Sequence, residues 1–207
     1  MMGTPEQVYE GSVAAMLVGW VGYAVPFLFR KKPPKLGERK RDPRSNLGIL
    51  IQSVSYALVW SLRRPLFTPL LPRFPTVSLG LAVISVILSF LSAGLVGWAV
   101  RVLGKQWSFT ARLAEGHRLV TEGPYALMRH PIYAAMLGML LVTAVAISHW
   151  MAIPPAILLF AAGTRIRIRS EESLLQEAFG QEFADYRRRV GAVLPRALRP
   201  AQEPEDL

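Results

Sequence analysis

VSLGLAVISVILSFLSAGLVGWAV, residues 77–100, runs for 24 residues without one charged side chain. A helix rises about 1.5 Å per residue and the hydrocarbon core of a bilayer is about 30 Å thick, so about 20 apolar residues suffice to cross it. Gly11–Phe29 is a second such run, and Leu47–Leu62 is shorter but uncharged. Ile132–Trp150 is a fourth and Met151–Gly163 a fifth. The fifth is too short alone; it spans by borrowing Ile166 and Ile168, with the intervening arginines snorkelling to the interface. Almost nothing separates the last two runs, which predicts a tight helical hairpin with Pro154 and Pro155 near its turn. The fold class expected is all-α: a multi-pass membrane helical bundle of about five transmembrane helices.

Composition agrees. Hydrophobic residues make up 52% and charged residues 18%, against about 25% charged in an ordinary soluble domain. The net charge of +10 raises nucleic acid as a partner, but the charges fall in blocks between apolar runs and no basic face alternates with aromatics. The partner they suit is the membrane lipid headgroup, not nucleic acid. The absence of cysteine excludes disulfides, thiolate catalysis, Cys-ligated zinc and palmitoylation. Residues 1–10 carry Glu6 and Glu10 and no basic residue, so Met1–Phe29 reads as a retained first helix and not a cleaved signal.

The basic residues set an orientation. Arg30–Arg44 holds eight, Arg101–Arg129 five and Arg165–Arg199 eight, while Arg63, Arg64 and Arg73 are the remaining three. Five crossings put 21 of the 24 on one side, which the positive-inside rule makes cytoplasmic, with the N-terminus outside and the C-terminus cytoplasmic. In a bacterium this is the plasma (inner) membrane. No ionisable residue occupies the centre of a span, so attention moves from transport to the cytoplasmic segments. Residues 1–100 divide off as the first three helices with a basic, solvated loop at 30–46. Residues 101–195 form a second region, and 196–207 a disordered tail.

Two cytoplasmic stretches can carry chemistry. Arg101–Pro131 is long for a plain loop and rich in aromatic and aliphatic residues. It holds a Gly123-Pro124 turn signal, and Pro131 stands at the first position of helix four. His130 then lies beside the N-cap, next to unpaired amides that suit an anion, with Tyr133 one turn in. The chain has three histidines, His117, His130 and His149, and the last falls on the other side, so no metal site is expected. The second stretch, Arg165–Val190, places Arg167 and Glu171 four apart on one helical face, and Arg165, Arg169 and Glu172 on another. Leu175, Phe179, Phe183, Tyr186 and Val190 follow at helical spacing, which predicts a C-terminal cytoplasmic amphipathic helix that Gly180 can divide.

The text GHRLVTEGPYALMRHPIYAAML (116–137), followed by EESLLQEAFGQEFADYRRRV (171–190), resembles the isoprenylcysteine carboxyl methyltransferases and the related phospholipid methyltransferases. The resemblance covers roughly Leu103–Pro195; the first two helices match only as hydrophobic segments. It implies an S-adenosylmethionine-dependent membrane methyltransferase. It implies cofactor contacts at His117, Arg118, Leu119 and Val120, at Tyr125, His130, Pro131, Ile132 and Tyr133, and at Glu171. Arg167 matches the arginine that orients the methyl acceptor. Ala135 departs from the family, which commonly has glycine there.

The implied chemistry fits these residue types. A carboxylate acceptor is already ionised near neutral pH, so alignment and exclusion of water do most of the work and no strong base is required. Arg167 would hold the carboxylate by a two-pronged contact, Glu171 would take the cofactor's ammonium or ribose hydroxyls, and Arg129 with His130 would meet its carboxylate. The acceptor expected is a lipophilic or lipid-linked small molecule or peptide that enters sideways from the membrane. Two other enzymatic readings stand beside this one. A phospholipid amine acceptor would need a base such as His130. A sterol-type reductase using NADPH would need Arg165, Arg167 and Arg169 around a 2′-phosphate. A membrane scaffold is the non-enzymatic alternative, on which Glu171 and His130 matter only to stability.

Overall fold

The computed structural model describes residues 4–29, 38–104, 112–114 and 118–196. Five α-helices appear among them: α1 (Pro5–Leu28), α2 (Arg44–Ser61), α3 (Pro75–Leu103), α4 (Pro131–Ile147) and α5 (Ile153–Arg189). Proline at the first or second helical position opens α1, α3, α4 and α5, where its missing amide costs nothing. Thr4 and Gln7 add a reciprocal capping box to α1. Three helices, α1, α3 and the one running into α5, are long and apolar enough to cross a membrane, while α4 is a shorter apolar helix.

The packing is that of a membrane bundle. Ser78, Ala82, Ser85, Ser89, Ser92, Val96 and Ala99 form the buried face of α3, at intervals of three and four. Its other side exposes Val83, Ile84, Ile87, Phe90, Leu91 and Trp98. Small residues inside and large apolar ones outside is the arrangement expected when lipid, not water, surrounds the helices. Gly19 of α1 and Gly138 of α4 lie so close to Ser89 and Ser92 that an added Cβ would overlap those hydroxyls. Ser89 also donates to the Ala15 carbonyl at 2.6 Å.

α4 occupies the middle. It packs on α3 through Val96, Val100 and Ala135, on α1 through Met16, Val142 and Ala146, and on α2 and α5 through Val59, Leu140, Ala144 and Phe160. Ala135, 1% exposed, is packed within this core. A short turn joins α4 to α5 as expected, but the main partner of α5 is α2, and that of α4 is α3. Gly48 and Gly163 explain the choice. A Cβ on Gly48 would stand 2.7 Å from the Gly163 carbonyl oxygen, and one on Gly163 at 2.7 Å from that of Gly48, so the pair lets the two backbones touch.

Arg64 holds the far end of this assembly. Its guanidinium donates to the carbonyls of Val145, Ala146 and Ser148 at 2.6–3.0 Å, and its amide to that of Ile147, satisfying the open carbonyls at the end of α4. Arg63 bridges to Ser148 beside it. The α2 end and the α4–α5 turn therefore meet at one pole, and the His130 end of α4 is at the other.

The all-α expectation needs one addition. Residues 38–41 (β1) pair antiparallel with 112–114 (β2) in a two-stranded sheet, Arg41 opposite Arg112 and Glu38 opposite Ala114. The loop expected to be solvated thus meets the connector, since extended backbone satisfies its donors and acceptors by pairing. Most of the tail at 196–207 lies outside the described residues.

Candidate functional site

The site forms where the connector before α4 meets the polar part of α5. Gly123 starts a short 3-10 turn over residues 123–126 at φ 61°, and a Cβ there would come 3.0 Å from Val102 and 3.1 Å from Trp98 Nε1. Only glycine meets both demands. The turn buries Tyr125 against Ala99, Val120 and Ile132. Pro131 is the first residue of α4, as the sequence predicts, and His130 is its N-cap. The amides before the helix are not open, however: Arg129 N donates to the Gly191 carbonyl and His130 N to that of Ala192, each at 2.8 Å. The segment after α5 therefore ties down the two residues that lead into the helix.

Gly180, at φ 48°, divides α5 into a long part and a terminal turn. The long part ends its apolar stretch near Thr164 and continues as a polar helix. Its terminal part folds onto the connector: Phe183 and Tyr186 are buried, and Tyr186 Oη donates to the Tyr125 carbonyl at 2.6 Å. Leu174 is the deeply buried leucine of this helix, with Leu175 and Phe179 packed beside it.

His130 stands between two carboxylates. Its Nδ1 is 3.4 Å from Glu171 Oε2 and its Nε2 is 3.1 Å from Glu172 Oε1. A carboxylate only accepts, so a ring nitrogen that faces a charged glutamate must carry a hydrogen, and two flanking acids favour the protonated ring. Burial opposes that charge, but the hydrogen bonds and charges of Glu171 and Glu172 outweigh it and raise the histidine pKa above 6.5. Burial likewise opposes both glutamates, yet His130 holds each below 4.5, with Arg167 and Tyr133 assisting Glu171 and Arg129 assisting Glu172.

The two glutamates differ in what is left over. Arg129 reaches Glu172 Oε1 through Nε at 2.9 Å and Nη2 at 2.8 Å, and also donates to the Val190 carbonyl. Arg187 Nε is 3.8 Å from the other oxygen. Glu172 is thus enclosed by cations, 11% exposed, and anchors the connector to α5. Glu171 accepts from Tyr133 Oη and faces His130, but keeps 28% of its side chain exposed. It is the more open of the two acids. Arg129 and His130, expected to meet a cofactor carboxylate, both take part in these internal pairs.

Tyr133 stacks on His130, ring centroids 5.6 Å apart, and the Arg167 guanidinium lies over the Tyr133 ring at 4.8 Å. Arg167 is 8% exposed and Nη1 donates to Gln52 Oε1 of α2 at 2.9 Å. Two hydroxyls near this cluster, Tyr125 Oη and Ser170 Oγ, are buried without a hydrogen-bond partner among the described residues. Burial, and then the Glu171 charge, raises the Tyr125 pKa well above 10, so this hydroxyl keeps its proton and can donate. Buried polar groups without partners are rare, and here they lie beside an acid with exposed oxygen, as a site for a polar ligand requires. On the outer side of the same helical turn a cleft of about 480 Å³ opens, lined by Arg169, Glu172, Ser173, Gln176, Glu177 and Arg187.

Of the residues expected from sequence, the structure brings together Tyr125, His130, Tyr133, Arg167 and Glu171. Pro131, Ile132 and Val120 support them through packing, and Leu119 is half-buried beside them in sequence. Arg118 instead points outward in a pair with Glu122 at 2.8 Å, both side chains more than half exposed, an arrangement worth little energy. His117 lies outside the described residues. Arg165 and Arg169 face away from buried Arg167, so the three do not converge on one phosphate. No group of three metal-ligating side chains occurs among the described residues. Sequence reasoning missed Gln52 and Ser170. A lone amide within an apolar run is a readable signal, because polar groups in a span are costly and tend to be functional.

The ionic cluster gives a pH expectation. His130 has a raised pKa, so the stability it brings is complete below its unfolded value of about 6.5 and lost as pH rises through its folded value. Glu171 and Glu172 have lowered values, so their contribution is complete above about 4.5 and lost as pH falls through their folded values. Thermal midpoints in detergent should be highest between about pH 4.5 and 6.5 and fall on both sides. The alkaline fall should vanish in His130→Gln.

Fold and site together define a multi-helix membrane protein with a buried ionic centre at one end of its bundle. Residues 83–177 match the model of the isoprenylcysteine carboxyl methyltransferase (ICMT) family. The chain is 37% identical over 109 residues to the cobalt-zinc-cadmium resistance protein CzcN of Cupriavidus metallidurans, covering 51% of this chain and 49% of that protein. It is 32% identical over 114 residues to the protein-S-isoprenylcysteine O-methyltransferase of Tribolium castaneum, covering 48% and 41%. A probable enzyme of that name from Oryza sativa subsp. indica is 29% identical over 147 residues, covering 70% and 75%. The chain thus spans about half the length of the first two. The fold is similar to that of the eukaryotic intramembrane Ras methyltransferase ICMT, with a TM-score of 0.55, 21% identity, and coverage of 94% of this chain and 69% of that one.

Proposed function

We propose that this protein is an S-adenosylmethionine-dependent membrane methyltransferase that esterifies a carboxylate on a lipophilic or lipid-linked acceptor. The observation that carries the reading is the one connected cluster formed by Glu171, His130, Tyr133 and Arg167, with the unpartnered Tyr125 and Ser170 hydroxyls beside it. Its sequence also resembles that of carboxyl methyltransferases in the same region.

S-adenosylmethionine, when bound, supplies a methyl group on a sulfonium centre that a carboxylate oxygen can attack directly. Glu171 offers an acceptor of fixed negative charge to its ammonium or ribose hydroxyls, and Tyr125 offers a donor. His130, held between two acids that favour its protonated form, orients Glu171 and Tyr133 and is poorly suited to take up a further proton. That disfavours an amine acceptor, whose nitrogen must first lose a proton to a base. Arg167 supplies the planar fork that suits a carboxylate, and the buried surroundings exclude water from it. On this reading all five helices cross the membrane, the site lies on the cytoplasmic side, and the acceptor arrives from the bilayer.

Membranes containing the protein, incubated with methyl-labelled S-adenosylmethionine, should transfer label to a lipophilic fraction, and mild base should release it as from an ester. Label that resists base would point to nitrogen and overturn the carboxylate reading. No label would overturn the methyltransferase reading.

A further inference from the structure

Gln52 lies near the middle of the amino-acid run of α2, an apolar helix, and is 2% exposed. A primary amide away from water is costly unless both its ends are bonded. Here both are. Arginine has no acceptor, so the amide oxygen must be the end facing Arg167 Nη1, at 2.9 Å. The amide nitrogen then donates to Thr164 Oγ1 at 2.7 Å, one helical turn before Arg167 on α5. Gly48 lies one turn earlier on α2, and a Cβ there would fall 2.5 Å from Arg167 Cγ, so the arginine stem lies directly on the α2 backbone. The guanidinium is held by an edge on Gln52 and by a face on Tyr133.

Resting on the carboxylate reading above, we infer that Gln52 is a positioning residue, a neutral amide that aims the Arg167 guanidinium at the acceptor without neutralising it. The choice of amide over acid is the informative point. A glutamate has the same shape and would bind Arg167 more strongly, by a charge-assisted contact. For a purely structural link between α2 and α5 that would be an equal or better solution. For an arginine that must bind a substrate carboxylate it is the wrong one, because a resident carboxylate competes for the same fork. Gln52 also gives the N-terminal half of the chain a direct part in the site through an unremarkable hydrophobic helix.

The test compares wild type, Gln52→Glu and Gln52→Met in detergent or vesicles. It measures S-adenosylmethionine affinity, thermal midpoint, and kcat and KM for the acceptor identified by labelling. Gln52→Glu should fold with a thermal midpoint at or above wild type and bind S-adenosylmethionine within about twofold. Its acceptor KM should rise about ten- to a hundredfold, the range of one hydrogen bond to a charged group. Gln52→Met, which keeps volume and Arg167's charge but loses the anchor, should lower kcat more than it raises KM. Wild-type kcat and KM in Gln52→Glu would overturn the inference while leaving the methyltransferase reading intact. A wild-type protein that neither binds S-adenosylmethionine nor transfers methyl would instead overturn the reading on which the inference rests.

Discussion

Glu171→Gln is expected to weaken S-adenosylmethionine binding by about ten- to a hundredfold while the protein remains folded. The glutamine keeps the shape of the side chain and an oxygen to accept from Tyr133, so the packing survives. It removes the charge that His130 and Arg167 help to maintain below 4.5. Hydrogen bonds to a charged group contribute about 1.5–3 kcal/mol, and each 1.4 kcal/mol is roughly tenfold in affinity. Glu172→Gln is the control that separates ligand binding from architecture. Its acid is enclosed by Arg129, His130 and Arg187. Removing one partner from a buried ion cluster costs about 3–5 kcal/mol, so this variant should lose thermal stability first. Isothermal titration and thermal unfolding on both variants would check the pair. Equal cofactor affinity in Glu171→Gln and wild type would remove Glu171 from the site.

Arg167→Lys is expected to lower methyl transfer by about a hundredfold or more and to leave S-adenosylmethionine affinity within about twofold. Lysine keeps the positive charge but not the planar fork, and it cannot lie flat over Tyr133 while donating to Gln52. A displacement of about 1 Å in a reacting group can cost about a hundredfold in rate. Single-turnover transfer measured at saturating cofactor isolates this step from binding. Normal transfer by the lysine variant would mean that charge alone suffices, and Arg167 would then not be the group that orients the acceptor.

What could be read from the sequence was whatever is local. Uncharged run lengths located the helices, and Pro131 fixed the start of α4 and hence the place of His130. Helical spacing put Arg167 and Glu171 on one face, and both meet Tyr133 in the fold. What could not be read depends on distant partners. Gly48 and Gly163 are two glycines among 16, and nothing local says that they touch and bring α5 against α2. The same holds for Gln52, whose importance comes from a residue 115 positions away. Arg129 and His130 look like an open cationic helix end in sequence, because their acids and the carbonyls that seal their amides all come from α5 and beyond it.

That closing strap has a consequence for the timing of maturation. Arg129 is joined to Val190, 61 residues further along, and its amide to the Gly191 carbonyl. During synthesis the connector is made and α4 inserted well before those residues exist. A nascent chain therefore carries an unfinished centre with uncompensated cations. The ionic centre is completed late, once the final helical turn has emerged and folded back onto the connector.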